Sequence, residues 1–402
     1  MKNKNWTLRY SLINIFYFVA FATIHGFAAV FLLNRGFSNT EVGIALALAN
    51  ILSVIGQPIV AGIVDRSRLV TNRRVLMAAA AIMLFGSLAL SFLTGPKALI
   101  FALFVLIYTV QFIAMSFLIA ISFEYRSAGC KHHFGLARGL GSASFAVTAA
   151  IMGPIIEEKG PGVNMCLTVA VMVLMFAVVF FFRLPDDAGV PASKKAEAED
   201  DAPTNNFIEF VKKYPMFMLF MLGVSCVFFS HNMLNDYLIQ IIRHLGGGET
   251  ELGYAQFLQA ILELPVMALM VFVLRKINAK AVLMFSMTAF LVKVVIMYLA
   301  TGLPGMYASQ SIQFFAYSVF IPTSAHYADK LMKGGDKVKG QAYINSAITL
   351  GGVFSNIVCG PVLDRHGVPA MLMVGIATCL VGTAISVVAL AGKKRGVKNE
   401  TF

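Results

Sequence analysis

Residues 98–123 read ALIFALFVLIYTVQFIAMSFLIAISF, 26 positions in a row without a charged side chain. About 20 such residues in an α-helix cross the ~30 Å hydrocarbon core of a bilayer. In lipid a helix also satisfies its own backbone hydrogen bonds, which no open strand can do. The stretch is therefore expected to be a membrane-crossing helix. Comparable runs lie on both sides of it, and the sequence predicts twelve spans near 10–33, 42–64, 75–94, 98–123, 136–156, 162–182, 214–241, 252–274, 281–302, 304–328, 342–363 and 368–391. Ser38 and Glu41 have the spacing of a capping box at the start of the second run. Thr94-Gly95-Pro96 and Gly302-Leu303-Pro304 are helix breaks between later ones.

Composition supports the same class. Of 402 residues, 58% are hydrophobic and 13% charged, against about a quarter charged in a soluble domain. The net charge of +12 does not indicate a nucleic-acid partner, because the basic residues are scattered between apolar runs and form no stripe. They read as a topology signal instead. With the N-terminus placed inside, five of the 32 Lys and Arg (Arg35, Lys97, Lys159, Arg243, Arg365) fall at outer ends and Lys293 falls within a span. The other 26 fall at cytoplasmic ends, so the positive-inside rule puts both termini in the cytoplasm of an inner (plasma) membrane. The stretch from Tyr10 to Leu33 is too long for a signal-peptide core and reads as a first span. Five Cys without paired spacing argue against a disulfide framework or zinc site. No nucleophile elbow, metal-spaced His/Cys set or phosphate-cradling loop is present, so no enzyme activity, metal or cofactor is expected.

The longest polar stretch, Asp186 to Asn206, is rich in charged and small residues and predicts a flexible cytoplasmic linker. It divides the chain into residues 1–185 and 207–402, each with six predicted spans. The halves echo one another: Gly153-Pro154-Ile155-Ile156-Glu157 ends the fifth span, and Gly360-Pro361-Val362-Leu363-Asp364 ends the eleventh, 207 residues later. Repeats of this kind mark transporters whose halves rock about a midplane site.

Two further stretches carry a family likeness. Gln57 through Arg66, with Asp65 and Arg66 at its end and then Arg73-Arg74, resembles the loop motif G-x-x-x-D-R/K-x-G-R-R/K of the major facilitator superfamily, with Ala61 in place of the first Gly and a longer spacing to the Arg pair. Phe134 through Phe145 resembles the F-G-x-A-R-x-x-G fifth span of the lactose-permease-like proton symporters, and Gly223-Val224-Ser225-Cys226 is similar to their seventh span. The resemblance implies an all-α membrane protein of two pseudo-symmetric six-helix bundles, working as a monomer by alternating access. It implies that Arg138 holds solute with Glu124 as partner, that Phe145 stands where that subgroup stacks a sugar, and that Asp65, Arg66, Arg73 and Arg74 form a charge relay switching conformation. It also departs from the subgroup. Gln313 and Ala316 replace a His and a Glu of the tenth span, Asn232 and Gln310 replace an Asp–Lys pair, and the spacing from Glu124 to Arg138 is shorter.

Ionisable groups inside spans cost about 2.5–3.5 kcal/mol each on insertion scales and are functional candidates by default. Glu263 and Lys293 stand mid-span in the eighth and ninth runs. Desolvation penalises a buried carboxylate's charge and a nearby cation favours it, so proton, cation and solute occupancy become interdependent. Asp236, which shares a helical face with Asn232, and His25 are further proton-coupling candidates. Gln310 and Gln313, three apart, are expected to line the cavity with Asn232. The leading reading is proton-coupled symport of a small polar solute, sugar- or glycoside-like. A proton-driven exporter of drugs or amphipathic metabolites on the same fold is the alternative.

Overall fold

The computed structural model describes residues 5–67, 69–183 and 206–392. Within them the chain is all-helical. The first elements are α1 (Trp6–Phe21), a π-helical turn (Ala22–Gly26), α2 (Ala28–Asn34), α3 (Asn39–Arg66), α4 (Asn72–Phe92), α5 (Lys97–Ser127), α6 (Phe134–Lys159) and α7 (Gly162–Phe181). After residues 184–205, which lie outside the described residues together with nearly all of the expected linker, come α8 (Phe207–Lys213), α9 (Pro215–Asp236), α10 (Leu238–His244) and α11 (Glu249–Lys276). The rest are α12 (Ala279–Leu299), α13 (Leu303–Ser311), a 3₁₀ turn (Ile312–Phe314), α14 (Tyr317–Leu331) and α15 (Asp336–Ala391). Nine helices among the described residues are long and apolar enough to cross a membrane, ten if the bent α11 counts as one span.

Local sequence explains the punctuation. Ser38 caps α3, its hydroxyl accepting from the Glu41 N–H at 3.1 Å while the Glu41 carboxylate accepts from the Ser38 N–H at 2.8 Å. This is the predicted capping box. Asn206, the last residue of the expected linker, caps α8 by accepting from the Glu209 N–H at 2.9 Å. α15 runs for 56 residues, about 84 Å at 1.5 Å per residue, several times what a hydrocarbon core requires. Gly367, at φ +77, is non-helical and divides it. A left-handed φ of this kind strains any residue with a Cβ.

Two breaks repeat. Phe27 interrupts the first helical run at φ −115, ψ 22, and Tyr237 interrupts α9–α10 at φ −110, ψ 21; each is followed by a seven-residue helix. Helix packing sorts the elements further. α4 packs on α5 and α7, α1 on α6 and α7, and α3 on α5. α9 packs on α15, α12 on α14 and α15, and α11 on α14. The most extensive contacts between these sets are α6 with α11, and α3 with α15. α3 is buried only between Val42 and Ser53, and no side chain from Val54 to Arg66 is buried. It is thus tightly held over its first half alone.

Membrane helices pack through small residues, because lipid provides no hydrophobic drive between them. α9 and α15 meet at Gly223 and Gly382, where a Cβ on Gly382 would lie 2.7 Å from both the Gly223 carbonyl and the Cys226 Cβ. Gly382→Val should therefore separate these helices and destabilise the protein by about 1–3 kcal/mol, the usual cost of overpacking. A fall in melting temperature in detergent checks this, and an unchanged transition would contradict the close crossing.

Candidate functional site

The charged residues expected mid-span come together around one amide. Lys293 is fully buried on α12, and its Nζ donates to Gln313 Oε1 at 2.8 Å. Gln313, in the 3₁₀ turn between α13 and α14, donates from Nε2 to Glu263 Oε1 on α11 at 2.9 Å. A carboxylate and an ammonium are thus bridged by a neutral group, and no direct ion pair joins them among the described residues. Bridging holds both charges without their touching, so either can be neutralised while the other keeps a partner.

Arg138 on α6 faces the same region. Its guanidinium lies 4.2 Å over the Phe18 ring of α1 and donates to Ser142 Oγ at 3.0 Å. Glu263 and Tyr317 are within its electrostatic range. Among the described residues one hydroxyl accepts from this guanidinium, which carries five donors and lies on an aromatic face. Tyr317 in turn stacks on His231 with ring centroids 5.2 Å apart.

A second polar chain runs alongside. His231 Nε2 meets Asn235 Nδ2 at 3.1 Å, Gln259 donates to Asn235 Oδ1 at 3.3 Å, and the Gln259 amide also donates to Gln310. Among the described residues, Gln310 Nε2 and His231 Nδ1 are buried and meet no hydrogen-bond partner.

Beyond this chain, Asp236 accepts from Asn356 of α15 at 2.8 Å. With Asn235 it lines a cavity of about 10 Å³, room for roughly one water. His25 lines the same cavity from the π turn, its Nδ1 hydrogen-bonded to Tyr108. The Gly26 carbonyl accepts from Gln256 of α11. π turns free carbonyls in this way and recur at functional positions.

The fold has further witnesses. A sequence profile described as the MFS_1 like family matches residues 7–376. The chain belongs to the MFS_1 like family. A mutant form of the nucleoside transporter NupG superposes with TM-score 0.80 at 12% identity, covering 96% of this chain and 99% of that one. NupG itself gives 0.73 at 13% identity, over 96% and 98% of the two chains. A bacterial homolog of the human lysosomal transporter Spinster, inward-facing and unoccupied, gives 0.64 at 13%, over 97% and 96%. No match is found among curated protein sequences. The protein is accordingly a multi-pass membrane transporter and not an enzyme.

Other expected residues in this MFS transporter lie elsewhere or find other partners. Glu124 accepts from Asn72 at 2.8 Å, where the resemblance had paired it with Arg138. Asn232 donates to the Ile348 carbonyl at 3.4 Å, while Gln310 bonds Gln259, so those two do not form a pair of their own. Phe145 packs 6.0 Å from Phe21, in an aromatic group with Phe112 and His25. Asp65 and Arg66 are exposed at the end of α3. Arg73 donates to the Phe180 carbonyl at 2.8 Å, capping the end of α7, and Arg74 donates to the Leu69 carbonyl. Sequence reasoning passed over Gln259, Tyr317, Phe18 and Ser142. Gln259 had a legible signal: Gln256, Gln259 and Glu263 stand at i, i+3 and i+7 in an otherwise apolar run, one polar face of a helix.

Removing one partner of a buried charge costs more than removing both. Gln313→Leu should thus lower thermal stability by several kcal/mol, about the 3–5 kcal/mol seen when buried pairs are broken. Adding Lys293→Met should recover much of that loss. Thermal unfolding of both variants and of Lys293→Met alone closes the cycle, and simple additivity would show that Gln313 does not hold the ammonium.

Proposed function

We propose that this protein is a proton-coupled symporter of a small polar glycoside-like solute, moving it by alternating access. The observation that carries the reading is the Glu263–Gln313–Lys293 bridge, with Arg138 within electrostatic range of Glu263. A carboxylate that must change sides within a ~30 Å apolar slab travels at lowest cost when neutralised by a proton or a cation. In this scheme Arg138 and the Gln310, Gln313 and Asn232 amides meet solute hydroxyls, with Phe145 offering an aromatic wall. Glu263 exchanges its proton as solute arrives, and Lys293 compensates the charged state. Asp236 and His25, sharing the small cavity, form a second proton-holding pair, and Glu124 serves the solute path near the cytoplasmic end.

Twelve spans in two six-helix halves, residues 1–185 and 207–402 joined by 186–206, complete the proposal. The repeated breaks at Phe27 and Tyr237 and the division of α15 at Gly367 support that count. Both termini are placed in the cytoplasm of a plasma membrane, and the working unit is a monomer of the lactose-permease-like type. Asp65, Arg66, Arg73 and Arg74 are the switch, engaging when the cytoplasmic side closes. The fold shared with NupG, a nucleoside transporter, favours a glycosidic solute, since a nucleoside is a base joined to a sugar.

External pH recorded from lightly buffered cells during pulses of nucleosides and oligosaccharides tests the function. Alkalinisation on one class, abolished by a protonophore, is the expected result. Glu263→Gln should retain solute binding and lose uphill accumulation, and full accumulation by that variant would remove Glu263 from the proton path. Proton uptake during solute efflux would instead establish the exporter.

A further inference from the structure

The echoed stretches Gly153–Glu157 and Gly360–Asp364 have no role in the scheme above. Each ends in a carboxylate, and each carboxylate lands on the first turn of a helix from elsewhere in the chain. Asp364 Oδ2 accepts from the Thr40 N–H at 2.8 Å and the Thr40 hydroxyl at 2.6 Å, and Oδ1 accepts from Asn39 N–H at 3.2 Å and Nδ2 at 2.8 Å. Glu157 Oε2 accepts from the Thr250 N–H at 2.9 Å, and the Thr250 side chain lies close enough to favour the charged carboxylate.

The receiving turns are a repeat as well. Thr40-Glu41-Val42-Gly43 opens α3, and Thr250-Glu251-Leu252-Gly253 opens α11, 210 residues later. In both, the Glu turns back to the helix start: Glu41 to the Ser38 N–H at 2.8 Å and Glu251 to the Gly248 N–H at 2.7 Å. The paired glycines bring the helices into backbone contact. A Cβ on Gly360 would sit 2.7 Å from the Asn39 carbonyl, and one on Gly153 would sit 2.6 Å from the Glu249 carbonyl. On Gly43 and Gly253 it would collide with the carbonyls of Asn356 and Ala149.

The first turn of a helix has N–H groups without intrahelical partners and carries the positive end of the helix dipole. A carboxylate placed there satisfies both, and the bond exists only while the two helices touch. We propose that Asp364 and Glu157 are twin latches holding this end of the transporter shut, and that opening it requires both to release. That this end is the outer one rests on the topology proposed above, whereas the latching itself does not.

Cys359 is fully buried beside Gly360 and reports on the seam. With Cys130, Cys166, Cys226 and Cys379 replaced by Ser, its reaction with a membrane-impermeant maleimide is followed in right-side-out and in inverted vesicles. Asp364→Asn and Glu157→Gln should each accelerate labelling about three- to tenfold, as expected for a lost carboxylate–dipole contact, and the double variant more than either. Thr40→Val and Thr250→Val, which keep the carboxylates, should accelerate it less and provide the same readout if the acidic variants do not fold. Parent-like labelling in folded variants overturns the latch. Acceleration seen only in inverted vesicles keeps the latch and overturns the topology.

Discussion

An ammonium held in an apolar slab dictates much of the geometry around it. Lys293 is fully buried on α12, and a charge at such a depth has to find polar partners within the protein. Its partner is Gln313, and placing that amide between Lys293 and Glu263 takes the chain out of α-helical register, through a 3₁₀ turn between α13 and α14. A break in a spanning helix frees carbonyls that lipid cannot satisfy. Here Ser318 donates to the Gln313 carbonyl at 3.2 Å, and Ser286 of α12 adds a bond to the Ala316 carbonyl at 2.8 Å. These hydroxyls let the helix bend where the bridge needs it.

The same economy governs the breaks after the π turn and after Asp236. His25 and Asp236 stand beside the interruptions at Phe27 and Tyr237, and both line one small cavity. The two breaks have nearly equal dihedrals and lie 210 residues apart, as do the two helix starts at Thr40 and Thr250. Irregular backbone at membrane depth is tolerated only where it borders protein or a cavity. Pairs of interrupted helices in corresponding parts of a repeat are where transporters place their sites.

How much of this was legible depended on the range of the interaction. Local signals read well: the apolar runs became helices, and Ser38 with Glu41 formed its capping box, because both are fixed within a turn or a span. The break at Tyr237 was not legible, since no Pro or Gly adjoins it, and Gly26 beside Phe27 is a single glycine that a helix tolerates, too weak a signal to mark the first one. Glu263, Lys293 and Gln313 could be singled out by the cost of burying them, but their order, with the amide between the charges, depends on three helices and a turn. Glu124 shows the converse. Expectation by resemblance joined it to Arg138, and the structure gives it Asn72 instead, while Arg138 rests on Phe18. The echo of Glu157 and Asp364 was visible as sequence, yet its partners were not, because each lies in the opposite repeat.

The bridge differs in kind from a buried ion pair. A direct pair is most stable when both charges are present, and protonating its carboxylate leaves a bare ammonium, at a cost of several kcal/mol. With Gln313 between them, Lys293 keeps its 2.8 Å acceptor whatever the state of Glu263. A protonated Glu263 still finds the amide within hydrogen-bond reach. Proton loss or gain at Glu263 therefore leaves the ammonium paired and the amide N–H with an acceptor. A transporter that must pass repeatedly through both states benefits from that tolerance, since a site that locks in one protonation state cannot turn over. Arg138 is within electrostatic range of Glu263, so in the proposed cycle an arriving solute that engages it enters a field common to both groups. In the proposed cycle this common field links solute to proton, and the amide keeps the link reversible.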